Sequence, residues 1–282
     1  MMRFQGSSAE IAYDITGQGP PLLLLHGFPQ TRAMWDQIVP QLAPHFTVVT
    51  ADLRGYGASS KPEGVAAYSF REMGRDMLEL MAHLGHPRFA LAGHDRGART
   101  AHRMALDAPA CITRVALLDI IPTHLLLNAL TTAVATGYYH WFFLAQPAPF
   151  PETLIGHDPD HYFESCLTGW GSNTFADFAP SQLAAYRASW RNPATITAMC
   201  NDYRAAIKHD FALDAADLTR QLDIPALILY GKDGPMAKAY DVPATWANRF
   251  KNIKSQPMSG GHFFPDTAPD ATAQALLSFL LP

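Results

Sequence analysis

A chain of 282 residues, 48% of them hydrophobic, can bury one large core and carry an inserted subdomain. Its formal charge of −4, from 21 basic and 25 acidic residues, comes without a lysine or arginine run, so nucleic acid is not an expected partner. Cys111, Cys166 and Cys200 lie far apart without metal-type spacing, Met1 to Pro20 has no apolar core of signal-peptide length, and no apolar run is long enough for a membrane, so a reducing cytoplasm is expected.

Taken in chain order, Leu22 to Leu25 and Phe46 to Thr50 read as buried parallel strands, delivering the loops His26-Gly27-Phe28-Pro29 and Asp52-Leu53-Arg54-Gly55-Tyr56-Gly57. A helical pattern from Phe70 to Leu84 is closed by Gly85 and Pro87. The strand Phe89 to Ala92, the helix Ala98 to Leu106 and the strand Arg114 to Leu118 follow, the last ending in Asp119. From Thr123 to about Lys208, aromatics, prolines and short helical patterns replace that rhythm. Strands return at Pro225 to Tyr230 and Lys254 to Gln256, and a helix from Ala271 to Leu281 ends the pattern. The alternation predicts an α/β fold, a doubly wound and mostly parallel sheet. Its core would be 1–122 with 209–282, and 123–208 an inserted helical cap.

The segment Gly93-His94-Asp95-Arg96-Gly97 places an aspartate on a Gly-x-x-x-Gly turn between strand and helix, where many hydrolases carry serine. A carboxylate is a poor acyl-transfer nucleophile but a competent one for displacement at saturated carbon. His262, in a glycine-flanked loop after the last strand, is the candidate base that activates water. Two strand-end acids could orient it, Asp119 and Asp233, and the residue pattern leaves the choice open, with the later position commoner for such folds. Hydrolysing an ester on Asp95 needs an oxyanion hole, for which the backbone N–H groups of Phe28 and Arg96 occupy the expected places. Arg96 and Arg99, one and four residues after Asp95, place two guanidinium groups where a substrate carboxylate would bind. Tyr138 to Phe143 and Met199 to Arg204 offer N–H and O–H donors for a departing anion. His83 with His86, and His157 with His161, lack further ligands at metal spacing, so no metal is expected.

Together these residues resemble the fluoroacetate dehalogenases, in the haloacetate dehalogenase and epoxide hydrolase branch of the α/β-hydrolase superfamily. The resemblance runs through His26-Gly-Phe-Pro-Gln30, the Asp95 elbow with Arg99, Leu118 to Thr123, Tyr139 to Leu144, Met199 to Arg204 and Gly261-His262. It implies Asp95 as nucleophile, His262 as base and Asp119 as its acid. It also implies Arg96 and Arg99 on the substrate carboxylate, and His140, Trp141 and Tyr203 on the halide. Trp170 would line the access route. The implied reaction turns a short 2-haloacid such as fluoroacetate or chloroacetate into glycolate and halide, without a cofactor, in a homodimer. An epoxide hydrolase of the same branch, and a non-catalytic receptor for a small acid, are the competing expectations. The first has no evident need for Arg96, and the second often lacks a triad member.

Overall fold

The structure, a computed structural model, describes residues 1–171 and 173–281. Its centre is one eight-stranded sheet: β1 (Met2–Gln5), β2 (Glu10–Thr16), β3 (Pro21–Leu25), β4 (Thr47–Ala51), β5 (Phe89–His94), β6 (Ile112–Leu118), β7 (Ala226–Gly231) and β8 (Ile253–Met258), in the order β1-β2-β4-β3-β5-β6-β7-β8. β1 and β2 pair antiparallel, as do β2 and β4, and every later pairing is parallel. The central strands are near-continuous Leu, Val and Ala runs because helices cover both their faces. The reading of the sequence places the six later strands to within a few residues but assigns nothing to β1 or β2. Ile11, Tyr13 and Ile15 do alternate in β2, a short signal beside the long apolar runs.

Helix α1 (Phe70–His83) starts at the Ser69 hydroxyl, which accepts from the Glu72 amide, and lays Phe70, Met73, Met77, Leu80 and Met81 on the core. Helix α2 (Arg96–Asp107) is buried from Arg96 to Leu106, since it lies between the sheet and the residues that follow β6. Between β6 and β7 the chain is helical, with α3 (Tyr139–Leu144), α4 (Pro159–Gly169), α5 (Pro180–Trp190) and α6 (Pro193–Ala205) among its elements. The expected cap, 123–208, includes Ser172, and the expected core ends at Pro282; both residues lie outside the described ones. After β8, α7 (Pro269–Leu280) returns to the sheet. Among the described residues no helix is long and apolar enough to cross a membrane, no cluster of potential metal ligands occurs, and all three cysteines are free thiols.

Parallel register brings the carboxyl ends of the strands into one row. Leu25 pairs with Gly93, His94 with Leu118 and Leu118 with Leu229. The loops leaving β3, β5, β6, β7 and β8 therefore meet above the sheet, where folds of this type bind ligands.

Candidate active site

Asp95 stands on the turn from β5 to α2 with φ 46° and ψ −112°, and Asp119 after β6 has φ 55°. Non-glycine residues rarely adopt positive φ, and such strain concentrates at functional sites. The elbow glycines make the turn possible: a Cβ on Gly93 would lie 2.4 Å from the Gly97 carbonyl oxygen, and one on Gly97 would lie 2.5 Å from those of His26 and Leu25. The Asp95 amide donates to the Leu118 carbonyl at 3.1 Å, and its carboxylate Oδ2 accepts from the Phe28 amide at 3.1 Å. Arg96 directly follows as the first residue of α2.

His262 Nδ1 lies 2.6 Å from Asp119 Oδ2, and the other Asp119 oxygen accepts from the Gly231 amide at 2.7 Å. Asp233, the acid that fold-level precedent favours, instead accepts from the Gly260 amide at 3.2 Å in an exposed turn. The β6 end faces the loop after β8, whereas the turn after β7 leaves Asp233 exposed. Burial pulls the His262 imidazole down, but the hydrogen bond and charge of Asp119 outweigh it and hold the group above its ordinary value. Burial raises the Asp95 carboxyl, yet His262 and Arg96 together bring it below its usual range.

The two arginines are held differently. Arg96 donates through Nε and Nη2 to the Asp202 carboxylate of α6, and Nη2 also reaches the Asp202 carbonyl at 3.0 Å. The Tyr56 hydroxyl donates to the same carboxylate at 2.7 Å. All three side chains are buried, and burial notwithstanding, Asp202 keeps Arg96 firmly charged. Only Nη1 of Arg96 is left without a partner. Arg99 donates through Nη1 to the Ile121 carbonyl and the Thr123 hydroxyl, both at 3.0 Å, while its buried Nε has no partner. No carboxylate among the described residues forms an ion pair with Arg99. Burial brings its pKa down to about 10, so it remains a cation at neutral pH.

Aromatic rings wall the site. His140 of α3 and Tyr203 of α6 pack on Phe28 and lie 5.4 Å apart by ring centroids, and Trp141 of α3 packs on Tyr203 at 5.2 Å. Arg96 stacks over Tyr203 at 4.2 Å and Trp141 at 4.9 Å, and Arg99 takes Trp141 at 4.8 Å. His140 Nδ1 and the Tyr203 hydroxyl are buried without partners, and burial keeps the imidazole neutral and the phenol protonated. Trp170 packs between His140, 4.1 Å away, and His262, 5.5 Å away, so it closes that wall and is itself buried.

Two contributors, Asp202 and Tyr56, escaped the sequence reading. Asp202 falls inside a quoted motif but receives no role, and Tyr56 is passed over as a loop-shaping residue. Tyr138 belongs to the aromatic run, yet only the structure stacks it on Trp170 and leaves its hydroxyl buried without a partner. A buried acid facing a buried arginine across 106 positions leaves no local signal.

A strained turn carrying a carboxylate, with a histidine and a second acid delivered by later strand ends, is the layout of an α/β hydrolase. Residues 20–269 match the family model described as alpha/beta hydrolase fold, and the chain belongs to that family, in the branch of the fluoroacetate dehalogenases. It is 52% identical over 269 residues to fluoroacetate dehalogenase of a Burkholderia species, covering 94% of this chain and 88% of the relative. Soluble epoxide hydrolase of Corynebacterium sp. strain C12 is 31% identical over 273 residues, 96% of this chain and 93% of its own. Among solved structures, a provisionally described alpha/beta hydrolase from Nostoc sp. PCC 7120 superposes with TM-score 0.97 at 46% identity, covering 99% of this chain and 97% of that one.

Proposed function

We propose that this protein is a haloacetate dehalogenase that converts fluoroacetate or chloroacetate to glycolate and halide through an ester on Asp95. The observation that carries the reading is the pair of buried guanidinium groups beside Asp95, in which Nη1 of Arg96 and Nε of Arg99 have no partner. An uncompensated buried cation such as Arg99 is costly unless an anion joins it, and a substrate carboxylate supplies that anion. One N–H from Arg96 and one from Arg99 would take its two oxygens.

In this reading the Asp95 oxygen not bonded to Phe28 attacks the α-carbon, the carbon–halogen bond breaks, and the halide leaves toward His140, Trp141 and Tyr203. Held geometry and directed N–H and O–H donors supply the rate. His262 then takes a proton from water, and the hydroxide attacks the acyl carbon of the ester. The Phe28 and Arg96 amides stabilise the resulting oxyanion. Collapse releases glycolate, whose alkoxide takes the proton back, and restores the carboxylate. Asp119 holds His262 in the required tautomer and balances its charge. The division into a core of 1–122 with 209–282 and a cap of 123–208 belongs to the same proposal, as do the cytoplasmic homodimer and the substrate passing Trp170.

An epoxide hydrolase is the second reading, because Tyr138 and Tyr203 both present buried, unpartnered hydroxyls that could protonate an epoxide oxygen. A neutral epoxide leaves Arg99 uncompensated. Incubation with fluoroacetate, chloroacetate and styrene oxide, following halide and diol, separates the two. A single turnover in ¹⁸O-labelled water should leave label in the Asp95 peptide. Unlabelled Asp95 with labelled glycolate would mean direct attack by water and would sink the ester route.

A further inference from the structure

Behind His262 runs a chain of buried polar groups that the proposed reaction does not use. The Tyr186 hydroxyl donates to Asp266 Oδ1 at 2.6 Å, and one end of the Gln30 amide meets Asp266 Oδ2 at 2.5 Å. The other end of that amide meets His94 Nδ1 at 3.0 Å, and His94 Nε2 reaches the main-chain oxygen of His262 at 2.9 Å. Tyr186, Asp266, Gln30, His94 and His262 are all buried.

Counting hydrogens constrains this chain. The His262 carbonyl can only accept, so His94 Nε2 must carry a hydrogen. A neutral imidazole has no second one, so Nδ1 must accept from the Gln30 nitrogen, which turns the amide oxygen toward Asp266. The two ends of an amide share one outline, so the hydrogen count decides the orientation. Two oxygens 2.5 Å apart need a hydrogen between them, and only a protonated Asp266 supplies it. The alternative moves that proton to His94, as a buried imidazolium against the amide oxygen, with Asp266 ionised. No arrangement with both neutral His94 and ionised Asp266 satisfies all four contacts.

Between the two, burial favours the uncharged pair. It presses His94 down to about 3 and lifts the Asp266 carboxyl to about 7. Turning the amide also removes the Gln30 hydrogen bond that otherwise pulls Asp266 down. Around His94, the charges of His262 and His26 oppose a cation, while Asp95 and the His262 carbonyl favour one; around Asp266, the Tyr186 hydrogen bond and the His262 charge pull the carboxyl down but do not overcome burial.

We propose that Asp266 carries a proton in the working enzyme and, through Gln30, fixes the Nε2–H tautomer of His94, which holds the His262 main chain and so positions the base. The positioning role rests on His262 being that base; the location of the proton does not. Infrared spectra near neutral pH should show a protonated-carboxyl band that disappears in Asp266→Asn, and ¹⁵N spectra should show His94 neutral in both proteins. With chloroacetate, Asp266→Ala should lower kcat by about tenfold to a hundredfold, the scale for a misplaced catalytic group, with KM nearly unchanged, whereas Asp266→Asn stays within about threefold of wild type. Asparagine donates to Gln30 and accepts from Tyr186, as the protonated acid does. A missing band, a doubly protonated His94, or an Asn variant as slow as the Ala variant overturns the proposal. If Asp266→Ala does not fold, the spectra and the Asn variant still decide. No turnover of chloroacetate by the wild type counts against the dehalogenase reading, and the spectra then decide the relay alone.

Discussion

Asp95 and His262 influence one another's charge, and the proposed ester route would exploit the coupling. The Asp95 carboxylate is among the groups that raise His262, so forming an ester removes that charge and makes the imidazole a freer base when water must be activated. A base works only when neutral. Because the ester lifts the Asp95 charge off His262, single-turnover ester hydrolysis should hold its rate to a lower pH than that at which His262 titrates in the free enzyme, and an acid limb above that titration would contradict the coupling. His262→Gln should trap the ester as a stable mass increase on the Asp95 peptide, slowing hydrolysis by on the order of 10²–10⁴. Asp119→Asn should impair hydrolysis far more than Asp233→Asn; equal losses would remove Asp119 from its assigned place. At Asp202, substitution by Asn leaves the Arg96 charge buried and unmatched, at a cost of about 3–5 kcal/mol read by denaturant unfolding. Its KM for haloacetate should rise, since a guanidinium freed from its clamp no longer aims Nη1.

At the level of elements, the elbow is a turn whose neighbours leave no room. Gly97→Ala would force a Cβ against two carbonyl oxygens of the β3 end, so a loss of about 3 kcal/mol or more is expected in thermal unfolding, whereas Ala at exposed Gly156, which has an open surround and no positive φ, should cost nothing. The elbow was legible in the sequence because its constraint is local: glycines, a strand and a helix lie within a few residues. The same holds for β3 to β7, whose apolar runs exceed what a surface loop would carry, whereas β8 is a mostly polar strand. β1 lacked that signal, being four residues long and mostly exposed at the sheet edge, and β2 lacked it because its apolar residues alternate with others and form no continuous run. His262 was legible from its loop, but its acid partner was not, because two strands end in aspartate and only three-dimensional register puts Asp119 beside it. The clamp and the relay were the least legible. Tyr56 meets Asp202 across 146 positions and Gln30 meets Asp266 across 236, and neither residue type announces a buried partner.

Across the whole molecule, polar contacts tie the helices between β6 and β7 to the sheet side. Gln182 of α5 donates to the Ala33 and Met34 carbonyls, Tyr186 reaches Asp266, and the Ser189 hydroxyl accepts from the Gly57 amide. Such bonds are largely withdrawn from solvent and mutually dependent, so the proposed cap should not unfold ahead of the sheet. Circular dichroism and tryptophan fluorescence, the latter weighted to Trp141, Trp170 and Trp190 of the cap, should report one coincident transition; separated midpoints would refute it.

The Tyr56–Asp202–Arg96 assembly also bears on traffic through the enzyme. Lifting α6 away from the sheet would strip a charged carboxylate from both its partners, a toll no acetate-sized guest could offset at each cycle. On the proposed reading, a two-carbon acid would then pass by the swing of individual rings in a shell that stays shut, and a branched one would have to wait for several rings to move together.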